Sequence, residues 1–264
     1  MKTQIGGIRD TLDQRVAQFE QTPLTQSVLI NSVPKGGTHL LRNILRMFVP
    51  VEQHYDREFV QMPILREHGR SLMSDPPYLV CGHLIFTPET AFLMHKARHI
   101  LLVRDPYDWV LARARFFLSD EFQQAELEIL KTGFVSVPDL LNLMIVGTLS
   151  KFPSLLDMYT LNAVAWFGTD MHLVRYEDAV AAVKDLSTSR SEAFFMALFA
   201  AAGIDPPANW RERVEIGADR RQSRTARENL NLPKGMVIPD VLPEPQRRLV
   251  DFLAPGLRAF LGYA

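Results

Sequence analysis

Lys35, Gly36, Gly37 and Thr38 stand at the junction of two patterns. A short apolar, β-branched run from Val28 to Val33 breaks at Pro34. Beyond Thr38 the apolar spacing becomes helical, with Leu41, Ile44, Leu45 and Phe48 on one face. Strand, glycine turn and helix start make an anion site: glycines let backbone N–H groups crowd a ligand, and a helix N-terminus favours negative charge. Lys35 adds a mobile positive charge there. The natural guest is a phosphate or sulfate group. His83 and Arg104 have the same kind of setting, each ending an apolar run. A neutral imidazole near pH 7 can take a proton from a hydroxyl, and a guanidinium binds phosphate in a two-pronged fashion. A lone histidine beside a strand is more often structural, and Arg104 could instead pair with Asp105 or Asp108.

The elements that must position these groups alternate in type. Strands are expected at residues 28–33, 78–83, 99–104 and 171–176. Helices are expected at residues 14–20, 40–48 (ended by Pro50), 88–97, from 105 through 117, after Glu177-Asp178, at 193–202 (closed by Gly203) and at 243–260, interrupted by Pro255. Residues 119–169 read as helical, 51–77 as a loop-rich excursion over the site, and 211–240 as polar and arginine-rich. Alternating strands and helices predict a single-domain, three-layer α/β fold: a parallel β-sheet flanked by helices, with residues 1–26 as a lead-in and 27–264 as the domain. Ligands of such sheets sit beyond the carboxyl ends of the strands. Pro34 to Thr38, Gly82-His83, Arg104-Asp105 and Arg175 to Asp178 all fall there.

Composition narrows the classes. In 264 residues, 47% are apolar, enough for a sizeable core, and Lys plus Arg (29) nearly equals Asp plus Glu (30). A general nucleic-acid binder is not expected from that balance. Cys81 is the one cysteine, which excludes an intramolecular disulfide framework and a cysteine zinc site. The N-terminus lacks the apolar core of a signal peptide, and the apolar stretch 140–149 is too short to span a bilayer. A cytoplasmic protein without a transmembrane segment is the expectation; a homo-oligomer is allowed.

Residue order separates the known anion turns. The ATP and GTP loop places its lysine after the last glycine, followed by Ser or Thr for magnesium. Here Lys35 precedes the glycines, and His39 and Leu40 occupy positions where a Gly-Lys pair belongs. A dinucleotide fingerprint is absent from the turn. What remains, Pro34-Lys35-Gly36-Gly37-Thr38, resembles the phosphosulfate loop of the PAPS-dependent, cytosolic-type sulfotransferase superfamily. Four later segments follow in that family's order. Gly82-His83-Leu84 resembles the segment with the catalytic histidine. Arg104 to Ala112 is similar to the motif whose arginine and serine hold the 3′-phosphate. Arg175 to Asp178 resembles the Tyr-Glu-Asp segment of the adenine pocket, although Glu177 and Asp178 suit a helix N-terminus equally well. Pro233-Lys234-Gly235 resembles the C-terminal Arg-Lys-Gly loop. The resemblance spans about residues 27 to 250.

That resemblance implies a P-loop NTPase-like fold and transfer of a sulfuryl group from PAPS to a hydroxyl or amine of a small-molecule, lipid or carbohydrate acceptor, releasing PAP without a metal. It implies His83 and Lys35 as catalytic residues. Lys35, Gly36, Gly37, Thr38, His39, Arg104, Tyr176, Lys234 and Gly235 become the cofactor contacts. Four positions depart from the family pattern. Cys81 stands where related enzymes often carry a lysine two residues before the histidine, so Lys35 would carry more of the sulfuryl charge. Ala112 replaces the phosphate-binding serine, so either Arg113 or Arg115 compensates or that contact is missing. Leu40 replaces the aromatic that stacks on adenine, and Pro233 the first arginine of the last loop. Two alternatives stay open: a nucleotide-dependent phosphotransferase with a degenerate P-loop, and a non-catalytic PAP- or nucleotide-binding protein. Residues 51–77, 119–150 and 205–232 are expected to wall the acceptor. Arginines 211, 213, 220, 221, 224 and 227 either receive an anion or form a solvated face balanced by Glu212, Glu215, Asp219 and Glu228.

Overall fold

The computed structural model describes residues 4–5, 10–59, 68–148, 151–223 and 226–263. Its strands in chain order are β1 (Gln4–Ile5), β2 (Val28–Ser32), β3 (His54–Phe59), β4 (Leu79–Gly82), β5 (Arg98–Val103), β6 (Phe122–Gln123) and β7 (His172–Arg175). Five of them form one sheet in the order β3–β4–β2–β5–β7, every pairing parallel. β1 and β6 form a separate antiparallel ladder.

All five residues of β2 are buried, as a central strand covered on both faces requires. Alternation along the strands then sorts side chains into two cores. Leu29, Val80, Leu101 and Val103 face one core, with Trp109, Val110 and Trp166. Val28, Ile30, Cys81, Ile100 and Leu102 face the other, with Leu41, Ile44 and Phe199. Helix Pro106–Leu118 covers the first face, and helices Thr38–Arg46 and Ser189–Ala202 cover the second. The result is the expected three-layer α/β architecture.

Local chemistry explains the helix starts next to the site. Asp105 accepts a hydrogen bond from the Tyr107 N–H at 2.9 Å, and Pro106 takes the first helical position, where no N–H is needed. No helix among the described residues is long and apolar enough to cross a membrane.

The differences from expectation have physical causes. The excursion at 51–77 contains β3, an edge strand paired with β4 through an irregular register; its sequence, HYDREF, lacks the apolar run of a central strand. Residues 60–67 of that excursion lie outside the described residues. Residues 119–169 are broken into β6, a 3₁₀ stretch at Ala125–Lys131, and helices Val137–Val146 and Leu155–Asn162. Ser136 and Ser154 accept hydrogen bonds from Asp139 N and Asp157 N, capping the two helices separately. The first helix is shorter and earlier than expected, Leu12–Val16, and buries both end residues in the second core. The segment 211–240 overlaps helix Trp210–Gly217, which buries Trp210 and Val214 and packs Ile216 against the second core.

Candidate functional site

Behind β2 the backbone leaves ordinary geometry. Lys35 has φ +67°, in the left-handed region that a non-glycine residue enters at a cost of about 1–3 kcal/mol. Gly37 follows at φ +102° and caps helix Thr38–Arg46. A Cβ on Gly37 would lie 2.2 Å from Cδ2 of Tyr176, so the turn is pressed against that ring. Gly36 is as tightly placed: its Cβ would sit 2.8 Å from the Val33 carbonyl oxygen. Gly36 is required by contact, and Gly37 by contact as well as by dihedral.

The turn is held from outside. Trp109, on the first turn of helix Pro106–Leu118, donates its indole N–H to the Pro34 carbonyl at 2.6 Å. Lys35 Nζ lies 3.8 Å from the ring centroid of Phe116, two turns along the same helix. Residues 109, 112 and 116 share one helix face, and that face looks onto the turn. Leu40 is partly buried against the second core.

His83 sits directly after β4, the neighbour of β2. Its Nδ1 is 2.9 Å from the Ser32 carbonyl oxygen and 3.2 Å from Ser32 Oγ. A carbonyl only accepts, so Nδ1 carries the proton, and the neutral ring has its lone pair on Nε2. Ser32 Oγ lies 2.5 Å from Thr38 Oγ1, joining the histidine to the first helical residue of the turn. The backbone of His83 and Leu84 is pinned by Asn162, Asn31 and Trp166. Asn162 donates to the His83 carbonyl at 2.9 Å, and Asn31 both donates to and accepts from Leu84. Trp166 donates to the Leu84 carbonyl at 3.2 Å.

Arg104 ends β5. Its guanidinium lies 4.6 Å from the Tyr176 ring centroid and 3.5 Å from the Lys35 carbonyl oxygen. Its Nε is buried with no hydrogen-bond partner. Asp105 is occupied elsewhere, in a two-pronged pair with Arg258 at 3.1 and 2.9 Å. Glu177 accepts from Asp105 N at 3.1 Å and from the Tyr263 hydroxyl at 2.7 Å, which fixes the start of helix Tyr176–Lys184 against β5. Burial, and then Glu177, push the Tyr263 hydroxyl far above its ordinary pKa, so it stays a donor.

The fold therefore brings Lys35, Gly36, Gly37, Thr38, His83, Arg104 and Tyr176 to one end of the sheet. His39 is the second residue of helix Thr38–Arg46, beside them. Lys234 and Gly235 lie on an exposed turn closed by Met236 N donating to the Pro233 carbonyl at 3.1 Å. That turn reaches the helix carrying Ala112 through a cavity shared by Met236 and Arg115.

The Arg113 guanidinium is buried and already engaged by backbone carbonyls of the protein itself. It donates to the Met144 and Pro153 carbonyls, each at 2.9 Å, and packs over Trp109 and Phe152. Burial lowers its pKa to about 9. Most described arginines of 211–227 are also spent: Arg211 on Glu192, Arg220 on Glu228, Arg221 on Asp219, and Arg213 on the Met47 carbonyl. Arg224 lies outside the described residues. Ser32, Trp109 and Asn162 were missed by sequence reasoning. Ser32 carried a signal, as the polar residue closing an apolar strand one step from the turn; Asn162, on a distant helix, carried none.

Among the described residues no group of three His, Cys, Asp or Glu side chains is placed to hold a metal ion. No family model and no curated protein matches the chain. Its coordinates are similar to those of mouse sulfotransferase SULT7A1 in a crystal structure with PAP. The TM-score is 0.58 and the identity 15%, over 96% of this chain and 93% of that one. The likeness shows the fold.

Proposed function

We propose that the chain is a sulfotransferase that moves a sulfuryl group from PAPS to a hydroxyl or amine of a small-molecule, lipid or carbohydrate acceptor and releases PAP. The observation that carries this reading is the convergence of the Lys35–Thr38 turn, an Nδ1-protonated His83 and the orphaned Arg104 Nε at one sheet end. The likeness to a sulfotransferase crystallised with PAP supports it at the level of fold.

The residues suit such a donor. A buried guanidinium nitrogen without a partner is the counterpart an anion supplies. The glycine turn would take the 5′ side and Arg104, with Lys234 and Gly235, the 3′-phosphate; Tyr176 would border the adenine. When bound, PAPS supplies a sulfuryl group attached to a phosphate leaving group. Lys35 and the N–H groups of the turn would stabilise the negative charge that develops on such a group during transfer. His83 Nε2 accepts the acceptor proton, and its Nδ1–H bond to Ser32 keeps the ring in the tautomer able to do so. The strained Lys35 backbone fits a residue held in place for chemistry.

An acceptor screen that follows PAP release tests the reaction. The wild type should release PAP only with an acceptor present, and Lys35→Ala should lose both turnover and affinity for PAPS. Undiminished PAPS binding by Lys35→Ala would refute the assignment of the turn.

A further inference from the structure

Ala112 leaves a gap in the expected phosphate contacts, and the same face of its helix offers an answer one turn on. Arg115 is 9% exposed. It donates to the Pro239 carbonyl at 2.6 Å and to Asp240 Oδ1 at 3.3 Å. Arg227 reaches the same Asp240 oxygen at 2.6 Å. Asp240 itself is 72% exposed in its side chain, although it is shared by two guanidiniums. Arg115 and Arg227 also line a cavity of about 230 Å³, otherwise walled by Leu230, Leu232, Met236, Val237 and Ile238. That lining holds two guanidiniums and no carboxylate. Burial, then Arg227 and Arg104, pull the Arg115 pKa down against Asp240 and Asp108, so the three arginines share one field.

We propose that Arg115 and Arg227 complete, beside Arg104, Lys234 and Gly235, the seat for the 3′-phosphomonoester of the nucleotide, and that the Asp240 carboxylate, which pairs with both guanidiniums, is displaced by it on binding. This rests on the reading of the Lys35–Thr38 turn as a phosphosulfate cradle. The chemistry is an exchange of anions. A carboxylate bears one charge, and a phosphomonoester nearly two with three acceptor oxygens. Against two guanidiniums in an apolar-walled cavity, the phosphate wins. Because Asp240 leads into helix Glu244–Leu253, its release would couple nucleotide binding to residues 236–242.

Calorimetric titration of the full chain with PAP and with AMP, which lacks the 3′-phosphate, tests this. Arg227 is half-exposed, so Arg227→Gln is used in place of a change at buried Arg115. It should weaken PAP about 10- to 100-fold, the worth of one charge-assisted hydrogen bond, and leave AMP unchanged. Asp240→Asn should tighten PAP severalfold without affecting AMP, since the internal competitor is gone. An unchanged ratio of PAP to AMP affinity in Arg227→Gln, or weaker PAP binding by Asp240→Asn, overturns the inference while leaving the cradle intact. A wild-type chain that binds neither nucleotide overturns both.

Discussion

His83 is defined by a single hydrogen bond more than by its neighbours in sequence. Because Nδ1 donates to the Ser32 carbonyl, the proton-accepting nitrogen is assigned without reference to any ligand. His83→Ala should reduce turnover about 10²- to 10⁴-fold, the range for a general base, while PAP affinity in calorimetry stays near wild type. Wild-type turnover in that variant would remove His83 from the mechanism. Gly37 is the other residue on which the site depends. In Gly37→Ala, a Cβ at 2.2 Å from Tyr176 and a φ of +102° must both be accommodated. The expected cost is about 1–3 kcal/mol of stability with loss of PAP binding, read by urea unfolding and by titration.

Helix Pro106–Leu118 organises the site at the level of elements. Trp109 pins the turn, Phe116 receives Lys35, and Arg115 faces the cavity near the C-terminal turn. Trp109→Phe keeps the packing and removes the bond to Pro34. The part-buried carbonyl then lacks its donor, and unfolding should become easier by about 1 kcal/mol, with weaker PAP binding. Unchanged PAP affinity would show that the helix does not hold the turn. Much of this was legible in the sequence: Asp105 and Pro106 announce the helix, the β2 run and the glycines announce the turn, and His83 and Arg104 fall at strand ends. The roles of Arg113 and Arg115 were not. They are two residues apart on one helix, so they point to different sides, and composition cannot tell which side meets the core. β3 was hidden because an edge strand needs no continuous apolar run. The breaks within 119–169 depend on serine caps that apolar periodicity alone does not reveal.

In the whole molecule, the two cores on either face of the sheet hold the strand ends in register. One buried group there makes stability depend on pH. His99 lies in β5 edge-on to Trp166 at 4.8 Å, and neither ring nitrogen has a hydrogen-bond partner. Burial lowers its pKa from 6.5 to about 4. Between those values the unfolded chain binds a proton that the folded chain refuses, so stability falls as the pH drops. From pH 7 to 4.5 this one group should account for about 2 kcal/mol, and His99→Leu should remove that part of the loss in urea titrations at the two pH values. An equal loss in wild type and variant would place the acid sensitivity elsewhere.

The turn between β2 and helix Thr38–Arg46 should hold PAP in preference to ATP. Calorimetry of the intact chain with PAP and with ATP, each with and without Mg²⁺, addresses it directly. PAP should bind equally well with and without magnesium, and ATP should bind far more weakly in both cases. Magnesium-dependent ATP binding with no PAP binding would contradict this and favour a nucleotide-dependent phosphotransferase.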